Sequence, residues 1–161
     1  MISNLLIDLD GTLTDPKSGI IGSVQYALKT LGQEAPKAID LLWLIGPPLH
    51  DSFKILLDGS GLDAHEAIKI FRERFGSVGL FENEMYDGVP ELLAEQSTAN
   101  KRLFIASTKP YVYINRIFKH FRSITFLRVF TARNWMVLCR LNRIYYGTWP
   151  PNLYLIQMKL L

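Results

Sequence analysis

The residues best placed to do chemistry in this chain are two aspartates one residue apart, Asp8 and Asp10. They follow the apolar run Leu5–Ile7 and precede Gly11 and Thr12. Because side chains alternate along an extended chain, both carboxylates are expected on the same side. In such a pair, one carboxylate can act as a nucleophile and the other as a general acid and base. Gly11 allows a tight turn that brings backbone N–H groups close to an anion.

A second candidate segment reads Ser-Thr-Lys-Pro at residues 107–110 and follows a predicted strand over Arg102–Ala106. A hydroxyl at a strand end can donate a hydrogen bond to a phosphate. Both segments also have structural interpretations. The first fits a hairpin with an Asp-Gly turn, and the second fits a helix N-cap. The residues alone leave Lys109 equally open as an anion contact or as a solvated charge at a helix start.

The octet Asp8–Asp15 resembles motif I of the haloacid dehalogenase-like phosphohydrolases, and Ile105–Pro110 resembles their motif II. The resemblance implies that Asp8 becomes phosphorylated and that Asp10 protonates the leaving group and then activates water. It also implies that Mg²⁺, bound by Asp8 and Asp10, separates the carboxylates from the phosphate. The phosphate-binding residues implied in this way are Gly11 and Thr12 through backbone N–H groups, Ser107, its neighbour Thr108, and Lys109.

The elements that must position these residues are predicted to be an α/β core interrupted by a helical segment. Residues 45–49 and 79–90 resemble the helical cap of phosphoglycolate-phosphatase-like members of the family. We therefore predict a Rossmann-like core of parallel strands with flanking helices, built from residues 1–15 and 87–121. A helical cap is predicted over residues 16–86, and a divergent, poorly ordered tail over 122–161. The core is expected to be incomplete at its C-terminal end.

Helix signals mark several boundaries inside this scheme. Apolar positions from Ser18 to Leu31 follow helical spacing, with Ser18 as a candidate N-cap and Gly32 as a terminator. Asp63, followed three residues later by an acid, predicts a capping box at the start of a second helix, and Gly76 predicts its end. A helix over Tyr111–Phe121 follows the second motif.

Composition limits the classes that remain. Hydrophobic residues make up 48% of the chain and charged residues 20%, as in globular domains. The single cysteine, Cys139, excludes an internal disulfide, and the start of the sequence leaves no room for a signal peptide before the first strand. We expect a cytoplasmic protein whose partner is a small phosphorylated metabolite, with neither nucleic acid nor membrane bound. The sequence does not determine the oligomeric state.

The tail departs from the family pattern. No Asp or Glu follows Glu95, so the acidic loop that completes the family's metal site is absent, and no basic residue is well placed as its catalytic lysine. Thr125–Leu161 shows no clear helix or strand periodicity. Read in a displaced frame, Asn134–Val137 must give Leu-Asp-Gly, which is part of a segment that the family carries here. We therefore expect that a frameshift between Phe121 and Thr125 replaced the original C-terminal third.

These observations predict an Mg²⁺-dependent phosphomonoester hydrolase that is similar to phosphoglycolate phosphatases. We expect it to be impaired or inactive, because its C-terminal lysine and acidic metal-binding motifs are absent. A phosphomutase of the same family is one alternative. A non-catalytic protein whose basic tail binds nucleic acid or anionic lipid is another, since basic residues continue from Gln96 to Leu161 while acidic residues are absent there.

Overall fold

The structure, a computed structural model, describes residues 4–107, 109–121, 127–131 and 153–156. These residues form six strands and five α-helices: β1 Asn4–Ile7, β2 Thr14–Asp15, α1 Lys17–Thr30, α2 Leu49–Leu56, α3 Ala64–Arg74, β3 Glu84–Met85, α4 Val89–Thr98, β4 Arg102–Ser107, α5 Tyr111–Phe121, β5 Leu127–Thr131 and β6 Leu153–Ile156. A 3₁₀ helix spans Ala38–Leu44, and a π-helical turn spans Phe75–Gly79. None of the helices in the described part of the chain is long and apolar enough to cross a membrane.

The first of two compact units is built around a four-stranded parallel sheet in the order β5-β4-β1-β6. Strand β1 lies between β4 and β6, and Ile7 is paired in register with Ile105 of β4. The side chains of Leu5, Ile7, Leu103 and Ile105 share one face of the sheet and are buried, whereas Leu6 and Phe104 on the other face are partly exposed. This arrangement confirms the predicted Rossmann-like α/β fold, and it brings the carboxyl ends of β1 and β4 to the same edge of the sheet.

The same unit contains a short antiparallel ladder that the sequence analysis did not predict. Strands β2 and β3 pair, with Asp15 opposite Glu84 and Thr14 opposite Met85. The backbone N–H of Tyr86 donates to the carbonyl oxygen of Leu13 and extends this connection. Strands of two residues each carry no periodicity that a sequence pattern could reveal.

The second compact unit comprises Pro16–Asn83 and is helical. The cap is predicted to end at residue 86, whereas this helical unit ends at Asn83. Aromatic rings link α2, α3 and the π-helical turn: Phe53 meets Phe71 edge-on at 6.2 Å between ring centroids, and Phe71 stacks on Phe75 at 5.2 Å. Such pairs stabilise a helical core beyond the burial of their area.

Two of the predicted helix boundaries differ from those observed, and the start of α3 at Asp63 agrees with the prediction. Helix α1 begins at Lys17 after Pro16, so Ser18 lies inside the helix and is not its N-cap. At α3 the Asp63 carboxylate accepts from the N–H of His65, so half of the predicted capping box is present. Gly76 does not end α3, because the chain continues through the π-helical turn to Gly79.

That continuation depends on a close approach between two glycines. A Cβ atom at Gly19 would clash with the carbonyl oxygen of Gly79, and Gly19 donates its N–H to the carbonyl oxygen of Glu82 at 3.1 Å. Arg74, the last residue of α3, forms two hydrogen bonds of 2.9 Å to the Glu82 carboxylate and one of 3.2 Å to the Ser23 hydroxyl. The π-helical turn therefore ends where Gly79 packs against Gly19, and the Arg74 hydrogen bonds hold the residues that follow it.

Two segments of the C-terminal tail form strands, although the sequence shows no strand periodicity there. Leu127–Thr131 pairs with β4, and Leu153–Ile156 pairs with β1, both in parallel. The rest of the predicted divergent tail lies outside the described residues, so its order stays a prediction.

Candidate active site

The chain makes a tight turn immediately after β1, and this turn carries both motif aspartates. The carbonyl oxygen of Leu9 accepts hydrogen bonds from the N–H groups of Thr12, Leu13 and Thr14 at 3.0 to 3.3 Å. Gly11 has a φ of +81°, which side chains with a Cβ rarely adopt. Leu9 is fully buried beneath the turn. The turn is therefore anchored at Leu9, the residue that lies between Asp8 and Asp10.

The backbone N–H groups of Gly11 and Thr12 form hydrogen bonds inside the turn. Gly11 donates its N–H to the carbonyl oxygen of Thr14 at 2.8 Å, and Thr12 donates to that of Leu9. Their binding of phosphate stays a prediction, and it would require these hydrogen bonds to open or to be shared. The backbone N–H that faces the site is that of Leu9, which donates to the Asp8 carboxylate. Sequence reasoning missed this donor because every residue type carries one.

Asp8 has an unusual environment for a carboxyl group. Its pKa is raised from 3.8 to about 6, mainly by burial and in part by repulsion from Asp10. Hydrogen bonds from the Leu9 N–H and the Ser107 hydroxyl oppose this shift, and so does the positive charge of Lys109. A partly desolvated carboxylate that is still ionised at neutral pH is suited to act as a nucleophile.

The second motif meets the first at the adjacent strand end. Ser107 is the last residue of β4 and is 3% exposed. Its hydroxyl bonds with the Asp8 carboxylate and also accepts the N–H of Lys109 at 3.3 Å. The structure thus brings together Asp8 and Ser107, which are far apart in the sequence. Thr108, also predicted to bind phosphate, lies outside the described residues.

Lys109 reaches across the site to Asp10. Its Nζ lies 2.7 Å from one carboxylate oxygen of Asp10 and 2.8 Å from the other, and Lys109 is only 8% exposed. The interpretation of Lys109 as a solvated charge at a helix start is therefore wrong. Lys109 thus places a positive charge directly beside Asp10.

Comparison with known proteins identifies the family. The sequence profile of the haloacid dehalogenase-like hydrolases matches residues 5–137, which is most of the chain. This chain belongs to the haloacid dehalogenase-like hydrolase family. The family resemblance inferred from the two motifs is thus confirmed, and Asp8, Asp10 and Ser107 occupy the motif positions of a family member.

Named relatives of this haloacid dehalogenase-like chain include enzymes of phosphate chemistry. It is 45% identical over 118 residues to a 5'-nucleotidase of Pseudomonas aeruginosa, covering 73% of this chain and 53% of the relative. It is 37% identical over 117 residues to the tyrosine-protein kinase PtkA of Mycobacterium tuberculosis, covering 73% of this chain and 40% of the relative. The chain therefore spans about half the length of the curated relatives it matches.

The solved structures similar to this family member have the same fold. A haloacid dehalogenase-like hydrolase from Streptococcus pneumoniae superposes with a TM-score of 0.81 at 26% identity, covering 97% of this chain and 75% of that one. A predicted phosphatase from Clostridium acetobutylicum gives a TM-score of 0.75 at 27% identity, covering 96% and 75%.

Phosphatases of the haloacid dehalogenase-like family generally use Mg²⁺, so the donor set of this member must be tested against that ion. Asp8 and Asp10 offer the oxygen ligands that Mg²⁺ prefers, and one or two carboxylates with waters and a phosphate commonly suffice. Within the described part of the chain, no cluster of three or more acidic, histidine or cysteine side chains could hold a metal ion. The two carboxylates of Asp8 and Asp10 are of the type and number that can hold Mg²⁺. Because the Lys109 ammonium contacts both oxygens of Asp10, an ion bound there would have to displace it.

Proposed function

We propose that this chain is a phosphatase that hydrolyses a small phosphomonoester through a phosphorylated Asp8. The observation that carries the proposal is the environment of Asp8: a partly buried carboxylate just after a strand, with a pKa of about 6, beside a second carboxylate and a serine hydroxyl. A group with this pKa is ionised at neutral pH and is poorly solvated, which favours its attack on phosphorus.

Ser107 and the Leu9 N–H would hold the attacking carboxylate during the reaction. Both groups bond to Asp8, which fixes the orientation of its oxygens before a substrate arrives. When a phosphate is present, the same hydroxyl can donate to a phosphoryl oxygen. Ser107 is therefore proposed to position Asp8 first and the phosphoryl group afterwards.

Asp10 is proposed as the acid and base, and Lys109 controls when it acts. Both carboxylate oxygens of Asp10 contact the Lys109 ammonium. Asp10 therefore reaches a leaving-group oxygen or a water only after one of these hydrogen bonds opens. Once displaced, the ammonium lies close to the phosphate site, which is how Lys109 would become the anion contact predicted from the sequence.

Mg²⁺ is proposed as the cofactor, held by Asp8 and Asp10, and it would supply positive charge between these carboxylates and the phosphate. Because no acidic residue follows Glu95, this chain can add no carboxylate ligand from its C-terminal part. We therefore expect low turnover. The 5'-nucleotidase relative makes nucleoside 5'-monophosphates the first substrates to test, followed by phosphoglycolate and sugar phosphates.

The decisive experiment measures phosphate release from p-nitrophenyl phosphate and from these substrates, with Mg²⁺, for wild type and Asp8→Asn. The matched control is Asp40→Asn, which changes an exposed acid in the helical unit. We expect slow turnover that Asp8→Asn abolishes and Asp40→Asn leaves unchanged, with phosphate detectable on Asp8 by mass spectrometry. Turnover that survives in Asp8→Asn, or no release above buffer from wild type, would refute the proposal.

A further inference from the structure

A pair of histidines lies in the helical unit, outside the site described above. His50 is in the first turn of α2 and His65 in the first turn of α3. Their ring centroids are 4.7 Å apart, with the ring planes tilted by 59°. The packing of Phe53 against Phe71 joins the same two helices and fixes this approach. The two imidazoles are therefore neighbours held by the helical core and not by a flexible loop.

Each imidazole is also oriented by a carboxylate. The Nδ1 of His65 lies 3.1 Å from Oδ1 of Asp63, and the Nδ1 of His50 lies 3.4 Å from Oδ1 of Asp51. A carboxylate only accepts hydrogen bonds, so Nδ1 is the donor in each contact, and Nε2 is the ring nitrogen that would bind a metal ion. The Asp63 carboxylate is itself fixed, because the backbone N–H of His65 donates to it at 3.0 Å. Carboxylates that accept from one ring nitrogen are characteristic of histidines that bind metal through the other.

Open space borders the pair on both sides. A cavity of about 700 Å³ is lined by both histidines together with Lys69, Arg72 and Glu73. A smaller cavity of about 420 Å³ is lined by both histidines together with Asp58 and Asp63. An ion bound by the imidazoles can therefore complete its coordination with water, and the two carboxylates of the smaller cavity add negative charge nearby.

We propose that His50 and His65 form a two-imidazole binding site for a divalent transition-metal ion. Imidazole nitrogen suits Ni²⁺, Cu²⁺ and Zn²⁺, whereas Mg²⁺ prefers oxygen ligands. The site is thus distinct in chemistry from the Asp8 and Asp10 carboxylates. It does not depend on the phosphatase proposal, since no residue is shared between the two.

The test is a titration of the metal-free full chain with Ni²⁺ and Cu²⁺ by calorimetry and by electron paramagnetic resonance of the Cu²⁺ form. It is run in a Cys139→Ser background, because a thiol is a competing soft ligand. We expect one ion per chain, stronger binding of Cu²⁺ than of Ni²⁺, and nitrogen hyperfine structure from two imidazoles. His50→Ala and His65→Ala should each weaken binding at least tenfold, and Asp63→Asn by about 10- to 100-fold.

The third histidine of the chain, His120 in α5, provides the matched control. His120→Ala should leave affinity and spectrum unchanged. Binding that His50→Ala and His65→Ala do not weaken would overturn the proposal, as would equal weakening in His120→Ala. A Cu²⁺ spectrum without nitrogen hyperfine structure, lost in Asp8→Asn, would place the ion at the aspartates and would overturn it as well.

Discussion

Replacement of Lys109 by methionine tests the ion pair on which the site depends. Methionine keeps the length and the apolar stem of the side chain and removes only the ammonium group. In the wild type, the Lys109 side chain is 7% exposed and that of Asp10 is 25% exposed, with contacts of 2.7 and 2.8 Å between them. Lys109→Met therefore leaves a partly buried carboxylate without its partner.

The expected cost follows from that intermediate exposure. Breaking a fully buried ion pair costs about 3–5 kcal/mol, and an exposed pair is worth about 0–1 kcal/mol. Water reaches a quarter of the Asp10 side chain and solvates part of its charge. We expect Lys109→Met to lower the free energy of unfolding by about 1–3 kcal/mol, between these two limits.

The same substitution should tighten divalent metal binding, because an ion no longer has to displace the ammonium from Asp10. If that displacement costs about 1–3 kcal/mol in the wild type, Mn²⁺, a spectroscopic substitute for Mg²⁺, should bind Lys109→Met about 5- to 150-fold more tightly. The measurement belongs at pH 8, well above the Asp8 pKa of about 6. There the loss of the Lys109 charge cannot change the ionisation of Asp8 appreciably.

Urea unfolding in EDTA and Mn²⁺ titration followed by electron paramagnetic resonance provide the two readouts. Lys119→Met is the control, because Lys119 is an exposed lysine in α5, the helix that follows Lys109. It should change neither stability nor Mn²⁺ affinity. If Lys109→Met were no less stable than Lys119→Met, or bound Mn²⁺ more weakly than wild type, the assignment of Lys109 as a competing counter-charge would be wrong.

Three further predictions concern other parts of the chain. Because the pKa of Asp8 is raised from 3.8 to about 6, mainly by burial, the free energy of unfolding should fall by about 3 kcal/mol as pH rises between those values, and Asp8→Asn should remove this loss. Urea unfolding of both proteins in EDTA at pH 4 and pH 8 checks this, and a difference between them that does not change with pH would contradict it. Gly19→Ala should lower the free energy of unfolding by about 3 kcal/mol or more, because the added Cβ meets the rigid carbonyl of Gly79. The Cβ added by Gly22→Ala meets only the end of the Arg74 side chain, so that variant should lose less than about 1 kcal/mol; thermal unfolding compares the two. Resequencing the gene across codons 115 to 145 should reveal a displaced frame that encodes an acidic loop downstream, and an early stop in that frame would rule the frameshift out.

The sequence predicted those parts of the site whose residues are adjacent along the chain. Asp8 and Asp10 sit one residue apart after an apolar strand, and their placement follows from strand alternation and a glycine turn. Ser107 could be predicted as well, because parallel strands bring their carboxyl ends to one edge of the sheet. In each case a local pattern and a general rule of topology were sufficient.

What the sequence could not supply depends on contacts between distant residues. The partner of Lys109 is Asp10, nearly a hundred residues away, and nothing near Lys109 in the sequence specifies that choice. The π-helical turn at Phe75–Gly79 follows from the close packing of Gly79 against Gly19, and Gly76, which resembles a helix terminator, does not reveal it. The Leu9 N–H was missed for a different reason, since a backbone donor has no signature in side-chain chemistry.

The short ladder between β2 and β3 has a consequence for how such a protein could arise and be re-engineered. Asp15 pairs directly with Glu84, so the chain leaves the sheet-containing unit and returns to it at neighbouring residues. When the two ends of an insertion already meet, the entropic cost of closing it grows only slowly with its length. Residues 16–83 therefore form an insertion that could be replaced by segments of other lengths. We expect such a replacement to change substrate recognition and to preserve the register of the sheet that holds the aspartates.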